Sequence, residues 1–328
     1  MTHGNINISR RGLLTALAML GSAAPLLANG QSYPNRPVRL LVGYPPGGGA
    51  DRIARALSGP LGQKLGQPII VENRSGAAGS IAAAATANAA PDGYTLMIAD
   101  RGILVFNLGL FKQLTYDPRS DFTPIGTVAT SSFVLISKKN TDYRSMRELI
   151  SHARKNPGVL NYAATATGST AGMEFLKQKA SIDLVRVPYK GVGPAMTAIL
   201  AGEVDLMLAD ILSALPHIRA GTVVPLGVSS SRRSPLLPDV STIAESSLPG
   251  YEAMTWIGLI GPKGMPEDVA SRVESDLRIA LTSGDVGERL MQAGMEPWTG
   301  GRQILSSLMK EEQSLWPEQL RRWGMSAE

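Results

Sequence analysis

The sequence predicts an α/β protein with mostly parallel sheets. Strand-like and helix-like segments alternate along most of the 328 residues, a length that accommodates two domains. The segments 38–44, 68–71 and 94–99 are mostly apolar runs of the kind that form strands buried on both faces of a sheet. Glycine- and hydroxyl-rich segments follow several predicted strands and precede predicted helices, which is the arrangement of strand–turn–helix units.

Helices are expected at 50–65 and 80–89, between the first three strands. Ser145 and Glu148 have the spacing of a capping box that opens a further helix, and the pair Pro157-Gly158 ends it. In the second half we expect strands at 161–164, 184–188, 204–209 and 224–228, and helices at 169–179, 194–201, 211–220, 266–281, 286–293 and 304–323.

Composition excludes several classes of function. The chain is 44% hydrophobic and 18% charged with a net charge of +5, and it has no dense Lys/Arg run, so we expect a globular protein that does not bind nucleic acid. The absence of cysteine excludes disulfides, thiolate metal sites and a cysteine nucleophile. The three histidines lack metal-ligand spacing, so neither a metal nor another cofactor is expected.

Residues 1–30 have the order of an export signal. Arg10 and Arg11 precede an uncharged, mostly apolar stretch, and small residues follow at the expected cleavage site near Ala28. A transmembrane anchor is the alternative, but the stretch is short for a span and contains Pro25. The arginine pair indicates a twin-arginine signal, although ordinary secretion remains open. We therefore expect a soluble protein in the periplasm.

The most informative local segment is 44–51, which reads Y-P-P-G-G-G-A-D between a predicted strand and a predicted helix. Glycines allow the backbone to approach a ligand, and a helix N-terminus presents free N–H groups to an anion. The spacing matches neither a dinucleotide loop nor a phosphate-binding P-loop. Similar segments occur at 72–80 and 166–170, where Ser169 or Thr170 would cap a helix. Each alone is also compatible with a tight turn, but three at strand ends favour an anion-binding crevice.

These segments resemble the receptors of tripartite tricarboxylate transporters, the Bug family of periplasmic solute-binding proteins. The resemblance covers nearly the whole chain after the export signal. Its motifs include Y-P-N-R-P-V-R-L-L-V-G-Y-P-P-G-G-G-A-D at 33–51, G-Q-P-I-I-V-E-N-R-S-G-A-A-G at 66–79, A-P-D-G-Y-T-L at 90–96, Y-D-P-R-S-D-F-T-P-I-G at 116–126, V-P-Y-K-G at 187–191 and A-G-E-V-D at 201–205.

The resemblance implies a periplasmic binding protein of type II, with two α/β lobes joined by a two-strand hinge. The first lobe would comprise residues 31–131 and 253–328, and the second lobe residues 132–252. The resemblance also implies ligand contacts from both lobes. From the first lobe we expect Tyr44, Pro46, Gly47, Gly48, Asp51, Ser75, Gly76 and Arg101, and from the second Thr167, Ser169, Thr170, Tyr189 and Asp210.

Three positions leave alternatives open. Gly172 stands where many relatives have histidine, which removes a possible donor from the pocket wall. Arg101 could bind a second ligand carboxylate with two hydrogen bonds, or it could pair with Asp100. Asp210 could accept a hydrogen bond from a ligand amine or hydroxyl, or it could order its own loop.

The resemblance implies a receptor that captures a small carboxylate and delivers it to integral membrane transporter subunits. A receptor that signals to a membrane sensor kinase would have the same binding module. A hydrolase is disfavoured, because His152 and His217 lie in predicted helices and no G-x-S-x-G segment is present. We expect a monomer, since closure requires lobes that are free to move.

Overall fold

The computed structural model describes residues 1–2 and 33–327 of the chain. The predicted export signal falls almost wholly outside these residues. No helix in the described part of the chain is both long and apolar enough to cross a membrane.

The first part of the chain forms a parallel sheet with helices packed against it. β1 (Val38–Val42) lies between β2 (Ile69–Asn73) and β3 (Thr95–Asp100) and is parallel to both. Helix α1 starts after Gly48 and ends at Gly66, whose φ of 77° is a left-handed conformation that glycine adopts without strain. The elements are β1 (Val38–Val42), α1 (Gly49–Leu65), β2 (Ile69–Asn73), a 3₁₀ turn (Ala77–Gly79), α2 (Ser80–Ala87), β3 (Thr95–Asp100), a π-helical turn (Gly102–Phe106) and α3 (Asn107–Leu110).

Strand β4 (Phe122–Lys138) belongs to two sheets. Up to Ser132, which lies opposite Met254, it pairs antiparallel with β9 (Met254–Pro262) in the first sheet. From Phe133, which lies opposite Asp210, it pairs antiparallel with β7 (Leu206–Asp210) in the second sheet. The pairing therefore changes between Ser132 and Phe133. The numbered lobe boundaries at 131 and 252 adjoin this position and remain predictions.

The second sheet repeats the parallel arrangement. Strands β7, β5 and β6 lie side by side and parallel, and β8 pairs with β4 on its other edge. Its elements are α4 (Met146–Lys155), β5 (Asn161–Ala164), α5 (Thr167–Ala180), β6 (Val185–Pro188), α6 (Val192–Ala201), β7 (Leu206–Asp210), α7 (Ile211–Arg219), β8 (Val223–Val228) and α8 (Ile243–Ser246). We call this part the second lobe.

The chain then returns to the first sheet. Strand β9 lies between β3 and β4 and pairs antiparallel with both. The last elements are β9 (Met254–Pro262), α9 (Glu267–Thr282), α10 (Val286–Gln292), β10 (Glu296–Pro297) and α11 (Arg302–Arg322). Together with β1–β3 they make up the first lobe. The two segments that join the lobes are therefore β4 and the start of β9.

Aromatic side chains connect the lobes next to these strands. The ring of Phe175 in α5 meets Trp316 of α11 edge to face, with ring centroids 5.7 Å apart. Phe175 also stacks on Tyr251, at 5.5 Å. Trp316 in turn packs on Phe106 of the π-helical turn, at 5.6 Å. Edge-to-face and offset-stacked ring pairs contribute free energy to the contact in addition to that of burying their apolar area.

Helix α5 packs closely on its sheet at Gly172. A Cβ atom at this position would lie 2.6 Å from Leu208 Cδ2 and 3.0 Å from Ala253 Cβ. Gly172 thus lies in the interior. A side chain at this position fits only if its neighbours move, and the absence of a donor from the pocket wall stays a prediction.

We expect Gly172→Val to lower the free energy of unfolding by about 2 kcal/mol, because overpacking displaces Leu208 and Ala253. Urea denaturation monitored by circular dichroism measures this. Gly193→Val in α6 is the matched control, since a Cβ there meets nothing within 4 Å. Equal effects of the two substitutions would contradict the close packing at Gly172.

Candidate ligand-binding cleft

The topology places the carboxyl ends of the parallel strands in both lobes opposite each other. Asp100, at the end of β3, lies opposite Ile257 in β9, which in turn lies opposite Ala129 of β4. Asp210, at the end of β7, lies opposite Phe133, four residues further along β4. At about 3.3 Å per residue, the two strand ends are about 13 Å apart along β4. Ligands of open α/β sheets bind outside such strand ends, and this gap suits a small molecule.

Asp51 organises the glycine-rich loop after β1. Its carboxylate is 3% exposed and accepts hydrogen bonds from the Gly47 backbone N–H (2.9 Å), from Arg55 Nε (3.0 Å to Oδ2) and from Asn73 Nδ2 (3.0 Å). Asn73 Nδ2 also donates to the Tyr44 carbonyl, 3.1 Å away. Hydrogen bonds from Arg55, Gly47 and Asn73 lower the pKa of Asp51 to about 2 against the opposing effect of burial. The carboxylate thus holds the loop, and Pro46 and Gly47 remain exposed.

The loop after β2 contributes backbone rather than side chains. Ser75 and Gly76 are exposed, and Ala77 and Ala78 have φ angles of 46° and 50°, a left-handed conformation that is unfavourable for residues with a Cβ. Asn107 Nδ2 supports this loop by donating to the Ala78 carbonyl at 3.1 Å. The chain therefore presents exposed main chain next to the glycine-rich loop.

Tyr44 and Asp100 connect the glycine-rich loop to the end of β3. The Tyr44 hydroxyl donates to Asp100 Oδ2 at 2.7 Å, and the Ile103 backbone N–H donates to Asp100 Oδ1 at 2.9 Å. Burial raises the pKa of Asp100, although these hydrogen bonds oppose the effect. Burial and the nearby carboxylate also raise the pKa of Tyr44. The Tyr44 hydroxyl therefore stays protonated and serves as a hydrogen-bond donor to Asp100.

Arg101 pairs with Glu312 of α11 and not with Asp100, so the predicted Arg101–Asp100 pair is wrong. Its Nε lies 2.7 Å from Glu312 Oε2, and its Nη1 donates to the Met254 carbonyl at 2.6 Å. The guanidinium is buried between the rings of Phe106 and Trp316. A bidentate clamp on a ligand would require these contacts to break.

Trp256 and Glu312 complete this buried network, which sequence reasoning missed. Trp256 Nε1 donates to Glu312 Oε2 at 3.0 Å, and Trp256 is 1% exposed in β9. Burial raises the pKa of Glu312, while Arg101 and Trp256 act in the opposite direction. No local spacing rule connects these two residues, because Trp256 and Glu312 lie 56 residues apart in the chain.

The residues predicted to contact the ligand from the second lobe lie at one edge of its sheet. They differ in how far they are exposed to solvent. Helix α5 starts at Thr167, after Ala166 as N-cap, so neither Ser169 nor Thr170 is the cap that was predicted. Ser169 is 4% exposed and its hydroxyl donates to the Ala166 carbonyl at 3.1 Å, while Thr170 is 8% exposed. Thr167 and Gly168 are only half-buried. The accessible part of this segment is therefore its first turn.

Tyr189 and Asp210 lie on either side of β5. The Tyr189 backbone N–H donates to the Ala164 carbonyl at 2.8 Å, which fixes the loop after β6 beside the start of α5. Asp210 is exposed at the end of β7. Among the described residues, no group of three or more His, Asp or Glu side chains could hold a metal ion.

The two lobes, the crossing strands and the facing strand ends define a solute-binding protein of the periplasmic type. The chain matches the family model "Tripartite tricarboxylate transporter family receptor" over residues 53–325 and belongs to that family. The predicted type II α/β fold with two lobes is thereby confirmed. Proteins of this family and the structural neighbours are periplasmic binding proteins and not enzymes, so the hydrolase alternative is excluded.

Individual relatives agree with the family assignment. A Pseudomonas sp. (strain P51) protein encoded in the tcbD-tcbE intergenic region is 34% identical over 98% of this chain and 96% of its own length. Protein BugT of Bordetella pertussis is 33% identical over 94% and 95%, respectively.

Two solved structures carry ligands. An R. palustris protein with adipate is 31% identical, with a TM-score of 0.73, over 90% of this chain and 99% of its own. MatC from Rhodopseudomonas palustris with bound malate is 34% identical, with a TM-score of 0.69, over 87% and 99%, respectively.

Asp51→Asn should lower the free energy of unfolding at pH 7 by about 1 kcal/mol. The pKa of about 2 in the folded protein, against a usual 3.8, corresponds to roughly 2 kcal/mol, and solvent screening at the half-exposed Arg55 reduces it. Because the folded pKa is depressed, this contribution is present above pH 4 and is lost as the pH falls towards 2. Urea denaturation of both proteins at pH 7, 4 and 2.5 should show the difference shrinking, and a constant difference would contradict it.

Arg101→Met should destabilise the protein by about 3 kcal/mol, because it leaves Glu312 buried without its partner. The double variant Arg101→Met/Glu312→Gln should recover most of this loss, since glutamine still accepts from Trp256. Thermal and urea unfolding of the four proteins of this cycle measure the coupling. If the losses in unfolding free energy of the two single variants simply add in the double variant, the Arg101–Glu312 pair has no coupling energy.

Proposed function

We propose that the protein is a receptor that captures a small carboxylate between its two lobes and delivers it to integral membrane subunits of a tripartite tricarboxylate-type transporter. The observation that carries the proposal is that the facing sheet edges of the two lobes both carry accessible main chain at a helix N-terminus, in the glycine-rich loop before α1 and in the first turn of α5. Helix N-termini and glycine-rich main chain stabilise anions without a cationic side chain. The adipate and malate bound to the two R. palustris relatives support a carboxylate as the ligand.

The proposed contacts divide into two groups. Pro46, Gly47 and Gly48 with Ser75 and Gly76 would offer main chain from the first lobe, and Thr167 with Tyr189 would close on the ligand from the second. Asp51 supports the first group by fixing the Gly47 N–H at 2.9 Å, and Ser169 supports the second by holding Ala166. Arg101 would act by fixing the crossing strand through the Met254 carbonyl. Thr170, being buried, would act with Ser169 in shaping the helix start.

Closure follows from contacts on both sides. A ligand that touches both lobes binds the closed arrangement more tightly than the open one and so shifts the population towards it. The bend would fall between Ser132 and Phe133 in β4 and beside Met254 in β9, where the strand partners change. The closed receptor would then present a surface to the membrane subunits. We further propose that residues 1–30 direct export to the periplasm, where the protein acts as a monomer.

A thermal-shift panel tests the capture of a carboxylate. Small mono-, di- and tricarboxylates should raise the melting temperature of the purified protein, and the matched neutral amides should not. A ligand at a hundred times its dissociation constant stabilises by about 2.7 kcal/mol, which gives a readable shift. If the amides shift the melting temperature as much as the acids, the site does not recognise carboxylates. Small-angle scattering with and without an active acid should show a smaller radius of gyration when it is bound.

A further inference from the structure

Asp210 holds the position of a helix cap without acting as one. It is the last residue of β7 and the N-cap of α7, where aspartate is favoured because its side chain accepts a backbone N–H of the first turn. Here the side chain makes no capping hydrogen bond. Within residues 33–327, no side chain of another residue forms a hydrogen bond or ion pair with this carboxylate; its backbone N–H is the one donor assigned to it. The carboxylate is therefore not explained by local structure.

The sheet directs this side chain towards the cleft. Side chains alternate along a strand, so Asp210 lies on the same face of β7 as Leu208. Leu208 packs under Gly172 of α5. The first turn of α5, at Thr167 and Gly168, lies one helical turn closer to the carboxyl edge, and Asp210 lies two residues beyond Leu208 in the same direction. Phe133, the strand partner of Asp210, would lie 3.5 Å from a Cβ on Gly168, so Asp210 and the start of α5 share one face and one edge of the sheet.

Asp210 is accessible to solvent but crowded by protein. The side chain is exposed, yet loss of water around it raises the pKa of its carboxyl group. Its closest strand neighbour, Phe133, is apolar and 6% exposed. Two residues away, Leu212 approaches Gly294 of the first lobe, so that a Cβ on Gly294 would lie 2.9 Å from Leu212 Cδ1. Asp210 therefore lies near a point where α7 of the second lobe approaches the first lobe.

We propose that Asp210 accepts a hydrogen bond from a hydroxyl or ammonium group carried by the bound carboxylate. The site would then favour hydroxy acids or amino acids over the corresponding unsubstituted acids. This inference rests on the proposed function, since it concerns the same cleft. The negative charge of Asp210 repels a bound acid that carries no hydrogen-bond donor. A hydroxyl or ammonium group on the acid instead donates a hydrogen bond to the Asp210 carboxylate. Arg101 offers no compensating charge, because Glu312 already pairs with it.

Calorimetric titration with matched acids tests this selectivity. Succinate, malate and aspartate share a four-carbon diacid and differ only in a hydrogen, a hydroxyl or an ammonium at one carbon, and glutarate, 2-hydroxyglutarate and glutamate repeat the comparison in a longer chain. The protein should bind at least one donor-bearing acid of a series more tightly than its unsubstituted partner, by about tenfold to a hundredfold, as expected for a hydrogen bond to a charged group. Equal binding within both series would overturn the inference.

Variants at Asp210 separate the two donors. Asp210→Ala should remove the preference and leave or improve the affinity for the unsubstituted acid. Asp210→Asn keeps an oxygen acceptor but no charge, so it should spare a hydroxy acid more than an amino acid. Asp239→Asn, an exposed carboxylate of the same lobe, is the control and should change nothing. Circular dichroism and the melting temperature check that each variant is folded.

The outcomes also separate this inference from the proposed function. If the unmodified protein binds no acid in either series or in the carboxylate panel, the receptor function itself fails. If it binds acids, but Asp210→Ala weakens all members of a series equally or affects none, then carboxylate capture stands and Asp210 does not select the ligand.

Discussion

The two sheets of the molecule share one strand, β4, and this strand fixes their positions relative to each other. One continuous strand of 17 residues has partners along both edges in each lobe: β9 and β10 in the first, β7 and β8 in the second. The two sheets therefore keep a fixed register relative to one another. Since β1–β3 run with β4 and β7 runs against it, the carboxyl ends of both parallel sets point at the same stretch of backbone, 129–133. The cleft is a consequence of that register.

The charged side chains Asp51, Asp100 and Arg101 near the cleft form hydrogen bonds or ion pairs with other protein groups. Asp51 is held by Arg55, Asp100 by Tyr44, and Arg101 by Glu312. What remains for a ligand in the first lobe is oriented main chain, which recognises a carboxylate but distinguishes little of what is attached to it. Selectivity must then come from the few side chains that are not already paired. Such a division allows one fold to serve many acids, since the anion site can stay the same while individual side chains vary.

The sequence predicted local features well and long-range ones poorly. Strand–helix alternation placed β1, α1 and the last helices to within two or three residues, because apolar runs and glycine turns are local signals. Strand β4 was missed, since its middle is rich in threonine and serine and its partners lie 69 to 168 residues away. The start of α5 was misplaced because Ala166, a poor N-cap residue, precedes it. The partner of Arg101 lies 211 residues further along the chain, beyond any spacing rule.

Two adjacent residues connect the ligand loops to the crossing strands. Asp100 holds the glycine-rich loop through Tyr44, and Arg101 holds β9 through the Met254 carbonyl and α11 through Glu312. Because the peptide between them is rigid and both side chains are hydrogen-bonded to other elements, a loop displacement would have to break these polar contacts, which is costly. These contacts therefore fix the loops of the first lobe in position. In the proposed closure, the bend would fall where β4 changes partner, and the free energy of ligand contacts would be spent on that bend rather than on ordering the site.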